Sequence, residues 1–258
     1  MKQLFYITEI KSALDSIYKA GGRVLHQFGS EALVADLPEE MIALPGMTTQ
    51  PPDMISSGAA MAIAAHNEMM QQSLAEAAPA FGEGMAWDAE GMSPPAHPED
   101  QDDGEDIDDA TLLDAGDEEG VQKSTGTPTS RYLIGSVAVG IVIVSRDQGA
   151  EVLTTAQQQK VISEVYKGLN WLATVEPQAQ VSFVYDIRPI TITTSPGPYG
   201  SSDPYENFEK GWRDAALSAL GYAGGRTGYR RYAEDLRSKN QTKWAYVAFF
   251  TKYELNHF

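Results

Sequence analysis

A nearly unbroken run of apolar, mostly β-branched residues, Val137-Ala138-Val139-Gly140-Ile141-Val142-Ile143-Val144, constrains this chain more than any other feature. Alternating apolar and polar residues mark a strand with one wet face, whereas a continuous run marks a strand buried on both. Such a strand needs structure above and below it, so the surrounding sequence must supply helices with apolar faces. It does. Thr155-Ala156-Gln157-Gln158 has the form of a capping box, and Ile162, Val165, Leu169 and Leu172 follow at helical spacing. Val181, Phe183 and Tyr185 alternate into a second strand that runs on through Ile190-Thr191-Ile192. Asp203-Pro204-Tyr205-Glu206 opens a helix with Pro at its first position, Phe208 and Trp212 share one of its faces, and Gly221 stops it. A third helix is predicted over 229–238 and a last strand over 243–250. The order over 131–258 is therefore β-α-β-α-α-β, an α/β layer with helices on a sheet.

A second folded unit is predicted over 1–46. Leu4-Phe5-Tyr6-Ile7 reads as a strand, and Ile10, Leu14, Ile17 and Tyr18 recur at helical spacing until Gly21-Gly22 ends the helix. Arg23 to Phe28 and Ala32 to Leu37 read as a hairpin turning at Gly29-Ser30, and Pro38-Glu39-Glu40 opens a helical turn through Met41, Ile42 and Leu44. The order β-α-β-β-α is most of a ferredoxin-like split βαβ unit.

Between the two lies a segment of different composition. Residues 99–120 carry 12 acids and no base, while 1–98 hold 12 acids with 4 bases and 121–258 hold 12 acids with 15 bases. The net charge of −17 is thus concentrated in one stretch. So charged a stretch cannot bury enough apolar area to offset chain entropy, and the reading for 47–130 is a linker with an intrinsically disordered acidic run. One Ala/Met-rich helix is expected inside it, between Ser57 and Ala77, ended by Pro79. The fold class expected overall is α/β (α+β): the small βαββα unit, the acidic linker, then the β-α-β-α-α-β subdomain.

The residues also exclude several chemistries. No Cys is present, so disulfides and thiolate catalysis are out. A catalytic zinc site of the common kind needs two His four residues apart on one helix with a Glu between them. The four histidines are His26, His66, His97 and His257; no pair has that spacing, and Met70 stands where His66 would need its partner. An EF-hand placed on Gly104 has Ala110 where the bidentate Glu belongs. The stretch Gly221 to Gly228 lacks the Lys-Ser/Thr of a phosphate loop and follows a helix, so it reads as a connector. Arg226, Arg230 and Arg231 beside Tyr229 and Tyr232 form a basic-aromatic cluster, but in so acidic a chain they read as an exposed helix face, with no nucleic acid as partner. No Gly-x-Ser-x-Gly elbow occurs, and Ser195-Pro196-Gly197-Pro198-Tyr199-Gly200 reads as a loop. Catalytic, cofactor-binding and metal residues are therefore all assigned as none. The apolar stretch Leu133 to Val144 is too short for a membrane span, which needs roughly 20 residues. The N-terminus lacks the apolar core of a signal peptide, so the expected location is cytoplasmic, or exported without a recognisable signal.

Two resemblances carry an expectation of function. The first unit, through Tyr6-Ile7, Ala20-Gly21-Gly22-Arg23-Val24-Leu25-His26 and Ala32-Leu33-Val34-Ala35-Asp36-Leu37-Pro38, resembles the propeptide and inhibitor units of subtilisin-type peptidases. The last unit is similar to the stretch upstream of the HExxH helix in a group of bacterial zincin-like metallopeptidases. The residues that carry this are Gly135-Ser136-Val137-Ala138-Val139-Gly140, Trp212-Arg213-Asp214-Ala215-Ala216-Leu217 and the run from Trp244 to Tyr253. In that family the upstream half supplies sheet and helices, and the resemblance places the zinc helix after residue 258. It implies a non-catalytic N-terminal part of a metallopeptidase-like protein, a fragment or split subunit that is inactive alone. The alternative is a stand-alone interaction protein on a degenerate peptidase scaffold. Either implies a protein partner or a missing catalytic half, and it leaves self-association through Trp244–Phe250 open.

Overall fold

The computed structural model describes residues 1–39, 43–75, 133–147, 149, 152–193 and 204–252. The acidic run, His97, His257 and the Ser195 to Gly200 loop lie outside them. Strand β1 (Lys2–Ile7) leads to helix α1 (Ile10–Lys19), then β2 (Arg23–Phe28), β3 (Ala32–Asp36), β4 (Ala43–Leu44), β5 (Met47–Thr48) and α2 (Ser57–Ala75). After it come β6 (Ser136–Arg146), α3 (Thr155–Val175), β7 (Ser182–Ile192), α4 (Pro204–Ala219), α5 (Gly225–Asn240) and β8 (Trp244–Thr251).

All eight strands belong to one sheet, in the order β4-β5-β1-β3-β2-β7-β6-β8. In the first half β3 lies antiparallel between β1 and β2, which is the split βαβ arrangement read from the sequence. In the second half β2, β7, β6 and β8 all run parallel. The joint is β2–β7, where His26, Gln27 and Phe28 pair with Phe183, Val184 and Tyr185. The segments 1–46 and 131–258, expected as separate units, thus share one sheet and one compact unit built of Met1–Gln71 and Leu133–Phe258.

Helix α2 is the larger departure from expectation. It forms where the sequence placed a helix, but it is a core element and not part of a linker. Ala59, Ala62, Ile63 and Ala65 are buried in the same cluster as Leu25, Phe28, Val139, Ile162 and Phe183. Small side chains let the helix backbone approach the sheet: a Cβ on Gly58 would sit 2.7 Å from the carbonyl oxygen of Ile187. Helices α2 and α3 cover this face of the sheet. The opposite face carries α4 and α5 over Ala138, Val142 and Val144, and α1 over Phe5, Leu33 and Ala35. Strand β6 is buried on both faces from Val137 to Ser145, as its composition requires.

Local departures have local reasons. Leu44, read as the end of the helical turn after Pro38, lies instead in the short strand β4 at Ala43–Leu44, paired with β5; residues 40–42 of that turn lie outside the described ones. Tyr18, placed on the inner face of α1 by spacing, is exposed. The capping box of α3 sits one residue earlier than predicted: the Gln157 amide donates to Thr154 Oγ1 at 3.2 Å, and the Thr154 amide to Gln157 Oε1 at 3.0 Å. Helix α5 starts at Gly225, so much of the glycine-rich connector is helical. The Asp214 carboxylate supplies its cap, accepting from the Gly225 amide at 2.7 Å and from Lys210 at 3.1 Å. Partial burial alone would raise the Asp214 pKa, but these donors outweigh it and hold the group below its ordinary value.

Candidate functional site

Three places gather polar or aromatic chemistry, and each rests on the sheet. The first is internal. Strand β2 delivers His26 and β7 delivers Tyr185, while α2 contributes His66 and α3 contributes Tyr166 and Asn170. His26 Nδ1 lies 3.1 Å from the Tyr185 hydroxyl and its Nε2 lies 3.2 Å from Asn170 Oδ1. His66 Nδ1 lies 2.9 Å from the Tyr166 hydroxyl. The His26 and Tyr166 rings are 4.6 Å apart. Burial pushes His26 down to about 3, the Asn170 bond opposing and the neighbouring His66 and Lys2 adding to the shift. Burial and Lys2 likewise bring His66 down to about 4. Burial drives both tyrosines upward. At neutral pH all four groups are uncharged, hydrogen-bonded and shielded from water. That is a locked core network, not an accessible acid–base pair. The sequence placed His26 on a strand and His66 on a helix; it gave no sign that they share one tyrosine-lined core.

The second place is a cavity of about 680 Å3 at the carboxyl ends of β2 and β7, lined by Phe28, Ser57, Gly58, Ile187, Arg188 and Thr191 among others. Open parallel sheets bind ligands at this end. Its charges are already engaged: Arg188 Nε donates to both Asp186 oxygens at 2.9 and 3.1 Å, and the Tyr232 hydroxyl donates to Asp186 at 2.9 Å. The Ser56 amide and hydroxyl at the start of α2 both donate to the Glu31 carboxylate.

The third place is the free side of β8. Paired with β6 from Val137↔Trp244 to Val144↔Thr251, this strand has no strand on its outer side among the described residues. Val247 and Phe249 pack against the core beneath α4 and α5, while Trp244 and Phe250 pack against the core beneath α3. Every residue of β8 stays half-buried except Tyr246, which is 55% exposed. Two clefts flank it. One, of about 640 Å3, is lined by Trp212, Arg213, Tyr229, Arg230, Val247 and Phe249 among others. The other, of about 420 Å3, includes Leu153, Lys160, Val161, Val165 and Lys252. Phe250 and Thr251 line both.

Among the described residues no group of three His, Asp or Glu is gathered as metal ligands would be. Nor is any helix among them long and apolar enough to cross a membrane. No protein-family model, curated protein or solved structure matches this chain.

Proposed function

We propose that this chain is a non-catalytic N-terminal part of a zinc-metallopeptidase-like protein, a fragment or split subunit that works by docking the half that carries the zinc helix. The observation that supports it is the outer side of β8. An aromatic strand that, among the described residues, is paired on one side only, with apolar clefts above and below, presents backbone groups and apolar surface that a protein partner can cover. The same strand holds much of the zincin-like sequence resemblance. No HExxH occurs in the 258 residues, so peptide hydrolysis is assigned to the partner half and not to this chain. The stretch that resembles subtilisin propeptides is tied to the rest by β2–β7 pairing, and we take it as scaffold rather than as a detachable cap.

The alternative is a stand-alone binding protein that uses the same edge for another partner. The two separate on one experiment. The native gene product, tagged at its own locus and purified, is examined by intact mass, peptide sequencing and a chelator-sensitive peptidase assay. The proposal expects an HExxH sequence in the same polypeptide or in a stoichiometric companion, with activity lost on chelation. A native product with neither overturns it in favour of the stand-alone reading.

A further inference from the structure

Resting on that docking role for β8, the chemistry of its two clefts specifies what the partner must present. Side chains of a strand point alternately to opposite faces of a sheet. Any strand added beside β8 therefore sends one set of side chains over the Trp212–Phe249 side and the other over the α3 side. Phe250 and Thr251 belong to both clefts, so the two lie on either side of one edge, within reach of one added strand.

Both clefts combine an apolar floor with a cationic rim. Among the described residues the larger is lined by Arg213 and Arg230 and by no carboxylate, and Arg230 is the exposed one of the two. The smaller has Lys160 and Lys252 with, among the described residues, one carboxylate, Glu164, which is itself bonded to Lys167 at 3.2 Å. The floors are Trp212, Val247 and Phe249 on one side and Leu153, Val161 and Val165 on the other. A second copy of this chain would bring the same cations to the edge, and like charges would meet across a β8–β8 pairing.

We infer that β8 recruits an extended segment of a protein partner by strand addition. Main-chain hydrogen bonds supply the pairing, and each face of the segment carries both a carboxylate side chain and an apolar one. Because residues i and i+2 share a face, the matching pattern is two apolar residues followed by two acids. Arg230, exposed on α5, is the rim residue that selects for acid on the larger cleft.

The test uses the full chain and a fluorescein-labelled octapeptide, Leu-Val-Glu-Asp-Leu-Val-Glu-Asp, followed by anisotropy at about 0.1 M salt, where screening is moderate. Saturable binding is expected, weakened about ten-fold or more by Arg230→Glu and by lysines in place of the peptide's acids. Lys239→Glu, a basic position outside both clefts, leaves binding unchanged. N-methylation of alternate peptide amides, in both frames, abolishes binding in one frame at least, because strand addition needs those donors. The inference falls if the acidic and lysine peptides bind alike or not at all, if Arg230→Glu has no effect, or if both N-methylated peptides bind normally. It also falls if light scattering shows a dimer that Tyr246→Asp dissolves, since the occupant would then be a second copy. A chain that docks an HExxH polypeptide but ignores the octapeptide overturns this inference alone. One that binds the octapeptide but has no such polypeptide overturns the proposed function alone.

Discussion

Acid should destabilise this protein before most of its carboxylates titrate, and the cause is the buried pair His26 and His66. In the unfolded chain each histidine protonates near 6.5, whereas folding lowers them to about 3 and about 4. Between these limits the unfolded state binds more protons, so stability rises with pH. The contribution is complete above about 6.5 and drains as pH falls towards the folded values, at ~1.4 kcal/mol per pH unit for each histidine. From pH 7 to pH 5 the two together remove about 4 kcal/mol, a large part of a typical domain's 5–15. The assay is urea unfolding at pH 7, 6 and 5, on the parent chain and on His66→Gln, which keeps a polar partner for the Tyr166 hydroxyl. The parent should lose about 4 kcal/mol over that range and the variant about half as much. Comparing slopes, not absolute stabilities, removes any packing cost of the substitution. A stability independent of pH, or equal slopes for the two proteins, would refute the placement of α2 against α3.

Three further outcomes probe separate joints. Gly58→Ala puts a methyl 2.7 Å from the Ile187 carbonyl oxygen and should cost about 1–3 kcal/mol in chemical denaturation; a neutral result would mean α2 does not lie on β7. Tyr232→Phe removes the 2.9 Å bond to Asp186 and should lower stability by about 1–2 kcal/mol, with Tyr222→Phe, at the exposed bond to Asp235, costing less. Phe249→Asp should destabilise the fold, because its ring packs 6.4 Å from that of Trp212, whereas Tyr246→Asp should leave the unfolding free energy within about 0.5 kcal/mol of the parent. Equal effects of these two would show that β8 does not present Phe249 inward and Tyr246 outward.

What could be read from the residues was local. The apolar run at 137–144 announced a strand buried on both faces, and the β-α-β-α-α-β order after it stands as predicted. The hairpin at Gly29-Ser30 and the split βαβ order were equally legible, since turn chemistry and alternation act over a few residues. The β2–β7 joint was not, because parallel pairing leaves no local mark and its partners are more than 150 residues apart in the chain. Helix α2 was seen but misassigned. Its Ala-rich surface shows no apolar stripe against a polar one, and proline and acidic segments surround it. The His26 and His66 network was hidden for the same reason as β2–β7: only the assembled sheet brings a strand from the front of the chain under helices from both halves. The β8 edge was half legible. The resemblance left self-association through Trp244–Phe250 open, but only the structure shows which side chains face the core and that Tyr246 is the exposed one of the strand.

The central claim, that the outer side of β8 is a docking edge for a zinc-bearing half, is tested most directly by a photo-crosslinker placed at Tyr246. The chain is expressed at native level with p-benzoylphenylalanine at that position, irradiated in cells and digested for cross-link sequencing. A matched chain carrying the probe at Tyr18, exposed on α1, is the control. The account predicts one dominant product, from Tyr246 to a polypeptide segment that also carries HExxH, with nothing equivalent from Tyr18. Cross-links from Tyr246 only to a second copy of the chain, or indistinguishable from those at Tyr18, would contradict it.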